Sequence, residues 1–267
     1  MVNGKTRVFA LLGSPVEHSV SPRMQNAAFR ALGLNAAYVP LSCDSAAVPA
    51  LLVAFAGAGG GGNVTVPHKE RAAESVTFPS PTVREVGACN TFWGQGNGVG
   101  GENTDVAGIL AALDKLEAPS SCWFVLGTGG SARAVCAAAL KRGAAVAIQS
   151  RSQRRKEDFE QWAGGFGLRV CRAEECEVAI NATPLGLKAA DPLPMPPSDL
   201  PLLVAALDLV YARQRTRWVH ALRKRGVRAE DGREAVVAQG AAAFECWYPE
   251  ERAPTEVMRA VVNATLR

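Results

Sequence analysis

An apolar run at residues 122–126 ends in Gly127-Thr128-Gly129-Gly130-Ser131-Ala132 and passes at once into a segment with helical spacing. A strand, a glycine turn and a helix in that order admit few folds. The motif has the Gly-x-Gly-x-x-Ala form, in which the first glycine allows the turn and the second lets the backbone approach a pyrophosphate. Free N–H groups at the start of the helix, on the positive end of its dipole, suit phosphate oxygens. Alone, the turn could simply pack a helix on a strand. Its place between a strand and a helix favours dinucleotide binding.

The same alternation runs through most of the chain. Strands are expected at residues 8–12, 37–41 and 63–66, helices at 22–32 and 46–56, and a connector in the glycine run 59–62. A second series has strands at 122–126, 144–149, 168–171, 178–182 and 203–209, with helices at 131–141, 153–162 and 215–224. Pro67 is suited to a first helical turn, which would place Lys69 at a strand-to-helix junction. The proline-rich stretch 191–201 reads as a loop, and helices at 235–247 and 255–266 close the chain. Strands alternating with helices imply an α/β protein whose parallel sheets are covered by helices. The last two helices, with no strands left to cover, are expected to return to the first lobe.

A chain of 267 residues can form two modest cores with a cleft between them. Its 48% hydrophobic and 20% charged residues exclude a disordered chain. A net charge of +4, with the basic cluster Arg223-Lys224-Arg225 cut short by Gly226, speaks against nucleic acid as a partner. Seven cysteines without Cys-x-x-Cys or neighbouring histidines at zinc spacing argue against a metal. The odd thiol count and the absence of an apolar leader point to a reducing cytoplasm. The apolar stretch 46–58 falls short of the roughly 20 residues needed to cross a bilayer, so no membrane span is expected.

Three positions suggest chemistry. An acidic residue at the end of the second strand of the dinucleotide fold would bind a ribose 2′-hydroxyl, whereas this chain has Ser150-Arg151-Ser152-Gln153-Arg154-Arg155. Guanidinium forks suit a 2′-phosphate, and hence NADP, although a solvated helix start would look similar. Lys69 and Asp105, the latter preceded by Asn103 and Thr104, could form a proton-donating pair for ketone reduction. Spacing alone leaves that pair a guess, since a surface lysine is the common reading.

Taken in order, the motifs resemble the shikimate dehydrogenase family along nearly the whole chain. They are His18-Ser19-Val20-Ser21-Pro22, Asn63-Val64-Thr65-Val66-Pro67-His68-Lys69, Gly87-Ala88-Cys89-Asn90-Thr91, Asn103-Thr104-Asp105 and the glycine loop. Further on come Arg151 and Arg155, Asn181-Ala182-Thr183-Pro184, Tyr211, and Asp231-Gly232 followed by Gln239. The resemblance implies a substrate-binding and catalytic domain at 1–104, a Rossmann-like NADP-binding domain at 105–234 and returning helices at 235–267. It makes Lys69 and Asp105 the catalytic pair. Ser19 and Ser21 would bind the substrate carboxylate, and Asn63, Thr65, Asn90, Tyr211 and Gln239 its ring or hydroxyls. Gly127, Thr128, Gly129, Gly130 and Ser131, with Ser150, Arg151, Ser152 and Arg155, would hold the dinucleotide, and Leu209 and Gly232 would lie near the nicotinamide.

The activity so implied is the NADP-dependent reversible reduction of 3-dehydroshikimate to shikimate, a step of aromatic amino acid biosynthesis. The enzyme would be cytoplasmic, a monomer or homodimer. Alternatives are a dehydrogenase of quinate or another shikimate-like ring acid, a non-catalytic shikimate and NADP-binding protein, or a dinucleotide-binding redox sensor. Two residues depart from the family's pattern. Gln25 stands where histidine is common, which bears on packing behind the serine loop, and Ala235 stands where methionine is usual, which bears on pocket size.

Overall fold

Residues 7–13 alternate little and are almost wholly apolar, as a strand covered on both faces requires. They form β1 (Arg7–Gly13), the start of a series continuing through α1 (Ser21–Ala31), β2 (Ala36–Ser42), α2 (Val48–Gly57) and β3 (Gly61–Val64). Next come α3 (Lys69–Ser75), β4 (Phe78–Pro79), α4 (Pro81–Val86), β5 (Thr91–Gln95) and β6 (Gly98–Glu102). The computed structural model describes residues 2–267. It divides into two units, Met1–Asp105 with Val236–Thr265, and Val106–Ala235 with Leu266–Arg267.

The sheet of the first unit has the order β2-β1-β3-β5-β6-β4. It is mixed rather than wholly parallel, since β5 runs antiparallel to both β3 and β6. The glycine run is also not merely a connector. Gly61 and Gly62 are strand residues, and a Cβ on them would meet the carbonyl oxygens of Phe92 at 2.3 Å and Ala10 at 2.0 Å. Neighbouring backbone occupies the space that side chains would need, so only glycine fits. β3 then ends at Val64, two residues earlier than the sequence suggests. Pro67 also lies outside the helix it was expected to open: the Val66-Pro67 peptide is cis, and α3 starts at Lys69 after His68.

The second unit begins with α5 (Asp105–Lys115), whose first residue belongs to the first unit. It continues through β7 (Cys122–Leu126), α6 (Gly130–Arg142), β8 (Ala145–Gln149), α7 (Gln153–Gly165), β9 (Val178–Asn181), β10 (Ala205–Asp208), α8 (Arg217–Arg223) and β11 (Arg228–Asp231). Its sheet is parallel throughout, in the order β11-β10-β9-β7-β8. Residues 168–171, expected as a strand, make only an isolated bridge between Val170 and Val146, because the chain leaves the sheet edge after that pairing. Helix α8 starts two residues later than expected, since Arg215 has a positive φ of 72° and Thr216 caps the helix. Buried alanines 132, 134, 137, 138 and 139 let α6 lie close to its sheet.

The closing helices are α9 (Arg233–Trp247) and α10 (Thr255–Thr265). Within the first unit α10 packs on α1, and Phe9 meets Trp247 and Phe29 with ring centroids 4.8 and 5.3 Å apart. Such aromatic pairs contribute about 0.5–1.5 kcal/mol each beyond area burial. Trp247 also donates its indole N–H to the Phe92 carbonyl at 3.2 Å, tying α9 to β5.

Candidate active site

The strand register of the first unit gathers residues far apart in sequence at one end of its sheet. Asn63 pairs with Thr91, and Thr91 with Glu102, so the end of β3, the start of β5 and the end of β6 coincide. Lys69, Asn90 and Asp105 leave the sheet from these three points. Lys69 Nζ donates to Asp105 Oδ2 at 2.6 Å, with side chains 11% and 18% exposed. The pair is therefore largely shielded from water, with part of each side chain still exposed.

Asn90 organises this end. Its Nδ2 donates to Asp105 Oδ1 at 2.8 Å, and its Oδ1 accepts from the Thr104 backbone N–H at 2.7 Å and from the Thr91 hydroxyl at 3.0 Å. Gln239, on α9, brings Oε1 to 3.4 Å from Asn90 Nδ2 and turns its own Nε2 to the Val236 carbonyl at 3.1 Å. Asn63 is buried and heavily engaged within the protein. It donates to the Asn90 carbonyl at 3.0 Å and to Thr91 Oγ1 at 2.9 Å, and accepts from Tyr38 Oη at 2.8 Å.

Thr65 is half-buried beyond β3, and its N–H donates to the Leu12 carbonyl at 2.8 Å. Ser19 Oγ accepts from the Ser21 N–H at 3.2 Å, and buried Ser21 opens α1, so both serines also have the local role of shaping a helix start. His68 and Tyr38 were missed from sequence. His68 Nε2 donates to the Cys43 carbonyl at 2.8 Å, and its Nδ1 lies 2.8 Å from Ser45 Oγ. The histidine thereby clamps the start of α3, next to Lys69, to the segment 43–45. Tyr38 supports Asn63 from behind. A buried aromatic with a hydroxyl gives no signal in sequence that distinguishes this role from core packing.

The second unit holds the nucleotide motif. Gly127 has φ +113°, and a Cβ there would lie 3.0 Å from the Ala182 carbonyl oxygen. Gly129 precedes α6 without a side-chain cap, leaving the first helical N–H groups free for an anion. At the end of β8, Ser150 Oγ accepts from the Ser152 N–H at 3.4 Å, and Ser152 caps α7 by accepting from the Arg155 N–H at 3.3 Å. Arg151, Arg154 and Arg155 are exposed and carry no ion pair or side-chain hydrogen bond among the described residues. Unengaged guanidinium groups beside a phosphate-type turn fit an anionic dinucleotide.

Leu209 and Tyr211 follow β10 in a segment anchored by buried Asp208. That carboxylate accepts from Asn181 Nδ2 at 2.8 Å, from the Val210 N–H at 3.1 Å and from Thr216 Oγ1 at 2.7 Å. Burial nevertheless pushes its pKa up to about 6. Gly232 donates its N–H to the Val210 carbonyl at 3.1 Å, and Ala235 is buried near the start of α9. Gln25 is fully buried and donates through Nε2 to the Gly240 carbonyl at 2.9 Å, so it faces α9 rather than the serine loop.

Residues 11–92 match the family model for the shikimate dehydrogenase substrate binding domain. A shikimate dehydrogenase (NADP(+)) from Synechocystis sp. is 36% identical, covering 97% of this chain and 95% of its own. One from Methanothrix thermoacetophila is also 36% identical, over 97% and 98%. Among solved structures, a shikimate dehydrogenase in complex with NADP+ is similar at TM-score 0.90 and 27% identity, covering 100% of this chain and 98% of that one. The shikimate 5-dehydrogenase of Thermus thermophilus, in complex with NADP(H) and shikimate, is similar at TM-score 0.86 and 32% identity over the whole of both chains.

Proposed function

The chain belongs to the shikimate dehydrogenase family, and from that premise we propose that it catalyses the reversible, NADP-dependent reduction of 3-dehydroshikimate to shikimate. The observation that carries this reading is the Lys69–Asp105 pair, 2.6 Å apart and held by Asn90. Bound NADPH supplies the hydride that the carbonyl carbon receives. Lys69 gives the proton to the carbonyl oxygen, and takes it back when shikimate is oxidised. Asp105 orients the ammonium group through one carboxylate oxygen, while Asn90 fixes the other.

Ser19 and Ser21 hold the substrate carboxylate, and Asn63, Thr65, Asn90, Tyr211 and Gln239 its ring and hydroxyls. For Asn63 this contact would add to its three internal bonds. Gly127, Thr128, Gly129, Gly130 and Ser131 receive the pyrophosphate. Ser150, Arg151, Ser152 and Arg155 receive the 2′-phosphate, and Leu209 and Gly232 adjoin the nicotinamide. The unpaired arginines and the uncapped start of α6 support these cofactor assignments. Among the described residues no helix is long and apolar enough to cross a membrane. We place the enzyme in the cytoplasm, as a monomer or homodimer.

The test is to present the purified protein with shikimate, quinate and related ring acids, each with NADP and with NAD, and follow nicotinamide absorbance. Shikimate with NADP is expected to give the highest kcat/KM. Turnover of quinate alone would move the assignment to the alternative ring acid, and no turnover of any acid would leave only a binding protein.

A further inference from the structure

Three cysteines of the second unit lie together at the end of its sheet remote from the glycine turn. Cys122 opens β7, Cys171 follows the Val170 bridge, and Cys176 directly precedes the segment leading into β9. The sulfurs of Cys171 and Cys176 are 3.8 Å apart, and the Cys122 thiol interacts with that of Cys171. Cys176 is fully buried, whereas Cys122 and Cys171 are half-buried and reachable from solvent. Only four residues separate the close pair, three of them a 3₁₀ turn at Ala173–Glu175 beside exposed Arg172.

A disulfide needs its sulfurs about 2.05 Å apart, so the pair must close by under 2 Å, within reach of side-chain rotation and slight movement of a surface turn. None of these thiols has a part in the dehydrogenase chemistry. We propose that Cys171 and Cys176 form a peroxide-oxidisable dithiol site that closes to an intramolecular disulfide, apart from the nucleotide-binding end of the unit.

The half-buried Cys171 thiolate attacks a peroxide oxygen. The O–O bond breaks, one oxygen leaves as water after protonation, and Cys171 becomes a sulfenic acid. Cys176 sulfur then displaces the sulfenic oxygen as a second water, so two thiols and one hydrogen peroxide give one disulfide and two waters. Burial raises the pKa of Cys171 and pushes that of Cys176 up to about 11, so thiolate is scarce at neutral pH. Oxidation is therefore slow at neutral pH and accelerates as pH rises. β7 separates Cys122 from Gly127 by five residues at about 3.3 Å each, roughly 16 Å, so bridge formation leaves the phosphate turn in place.

The test treats the full chain with hydrogen peroxide, blocks remaining thiols, and maps it without reduction. Trypsin cuts after Arg169, Arg172 and Lys188. The proposal expects residues 170–172 covalently joined to 173–188, and loss of two of the seven thiols. The rate should climb about tenfold per pH unit through the neutral range. Cys122→Ser should leave this linked product intact, and Cys171→Ser should abolish it. The bridged protein should keep dehydrogenase activity within about twofold, the separation along β7 being the reason. The proposal is overturned if Cys171 gains only oxygen, if the bridge instead joins the peptide containing Cys122, or if bridging abolishes activity.

Discussion

Lys69→Ala separates the proposed proton donor from everything else at its end of the sheet. The ammonium group lies 2.6 Å from Asp105 Oδ2, and truncation leaves that carboxylate with Asn90 Nδ2 at 2.8 Å as its remaining side-chain partner. Breaking a fully buried ion pair costs about 3–5 kcal/mol, and an exposed one under about 1 kcal/mol. At 11% and 18% exposure, with Asn90 still in place, this pair belongs between those limits, so about 1–2 kcal/mol of stability should be lost. Chain length makes that a drop of only a few degrees in Tm, leaving a folded protein to assay. The catalytic effect should be larger. A positioned acid contributes about 10²–10⁴-fold, so kcat should fall at least about 10²-fold, or roughly 2.7 kcal/mol of barrier. KM for NADP should stay near the wild-type value, because the residues assigned to the dinucleotide all belong to the other unit and Lys69 is assigned only the proton. Steady-state rates in both directions, with circular dichroism and a melting curve on the same preparation, provide the measurement. A folded variant with kcat within about fivefold of wild type would refute the role of Lys69.

Replacing Arg151 and Arg155 together by alanine should raise KM for NADP at least tenfold with little change for NAD, since charge-assisted bonds contribute about 1.5–3 kcal/mol each. Equal effects on both cofactors would remove these arginines from the 2′-phosphate. Alanine at Ser19, Ser21 or Gln239 should raise KM for shikimate more than KM for NADP, and unchanged values for all three would place the acid elsewhere. Ala235→Met should narrow the range of accepted ring acids and raise kcat/KM for shikimate; if both stay put, the alanine has no bearing on specificity. Asp208 titrates at about 6 in the fold against about 3.9 unfolded, so between those values the native state holds the extra proton and stability falls as pH rises. Asp208→Asn should flatten that slope in urea midpoints measured from pH 4 to 7, and an undiminished slope would show that other groups set it.

The long periodic elements were legible because burial on both faces leaves a local trace. β7 is read to the residue from five apolar positions, and the glycine turn after it from spacing alone. The segment 78–102 was not, for a physical reason. β6 is Gly-Val-Gly-Gly-Glu, a sequence with low strand propensity. Its order comes from pairing with β5, and its glycines leave space that other side chains enter: Trp93 and Gln95 lie where a Cβ on Gly100 would be. That hairpin is what carries Asp105 back to Lys69 across 36 positions, so their contact could be inferred only through the family resemblance. Residue identity could suggest a lysine and a carboxylate; it could not supply the register that makes them neighbours.

Gln25 shows how a departure from the family's pattern can be absorbed without disturbing the chemistry. Its Nε2 donates to the Gly240 carbonyl at 2.9 Å, while its Oε1 is buried with no hydrogen-bond partner among the described residues. An unsatisfied buried acceptor costs about 1–3 kcal/mol, so the position is not optimised for stability alone. Its geometry accounts for what is retained. A Cβ on Gly240 would lie 2.2 Å from Met24 Cε, so α1 and α9 are in close contact there. Gln239 is the adjoining residue, and its Oε1 faces Asn90, which in turn holds Asp105. The bond from Gln25 thus fixes the backbone one residue from a proposed substrate ligand. A histidine also carries a ring N–H able to reach a carbonyl, so either residue can supply this donor. Leucine at position 25 could fill the space but would leave the Gly240 carbonyl without its side-chain donor, loosening Gln239 while Lys69 and Asp105 stay paired. Such a change should raise KM for the ring acid more than it lowers kcat.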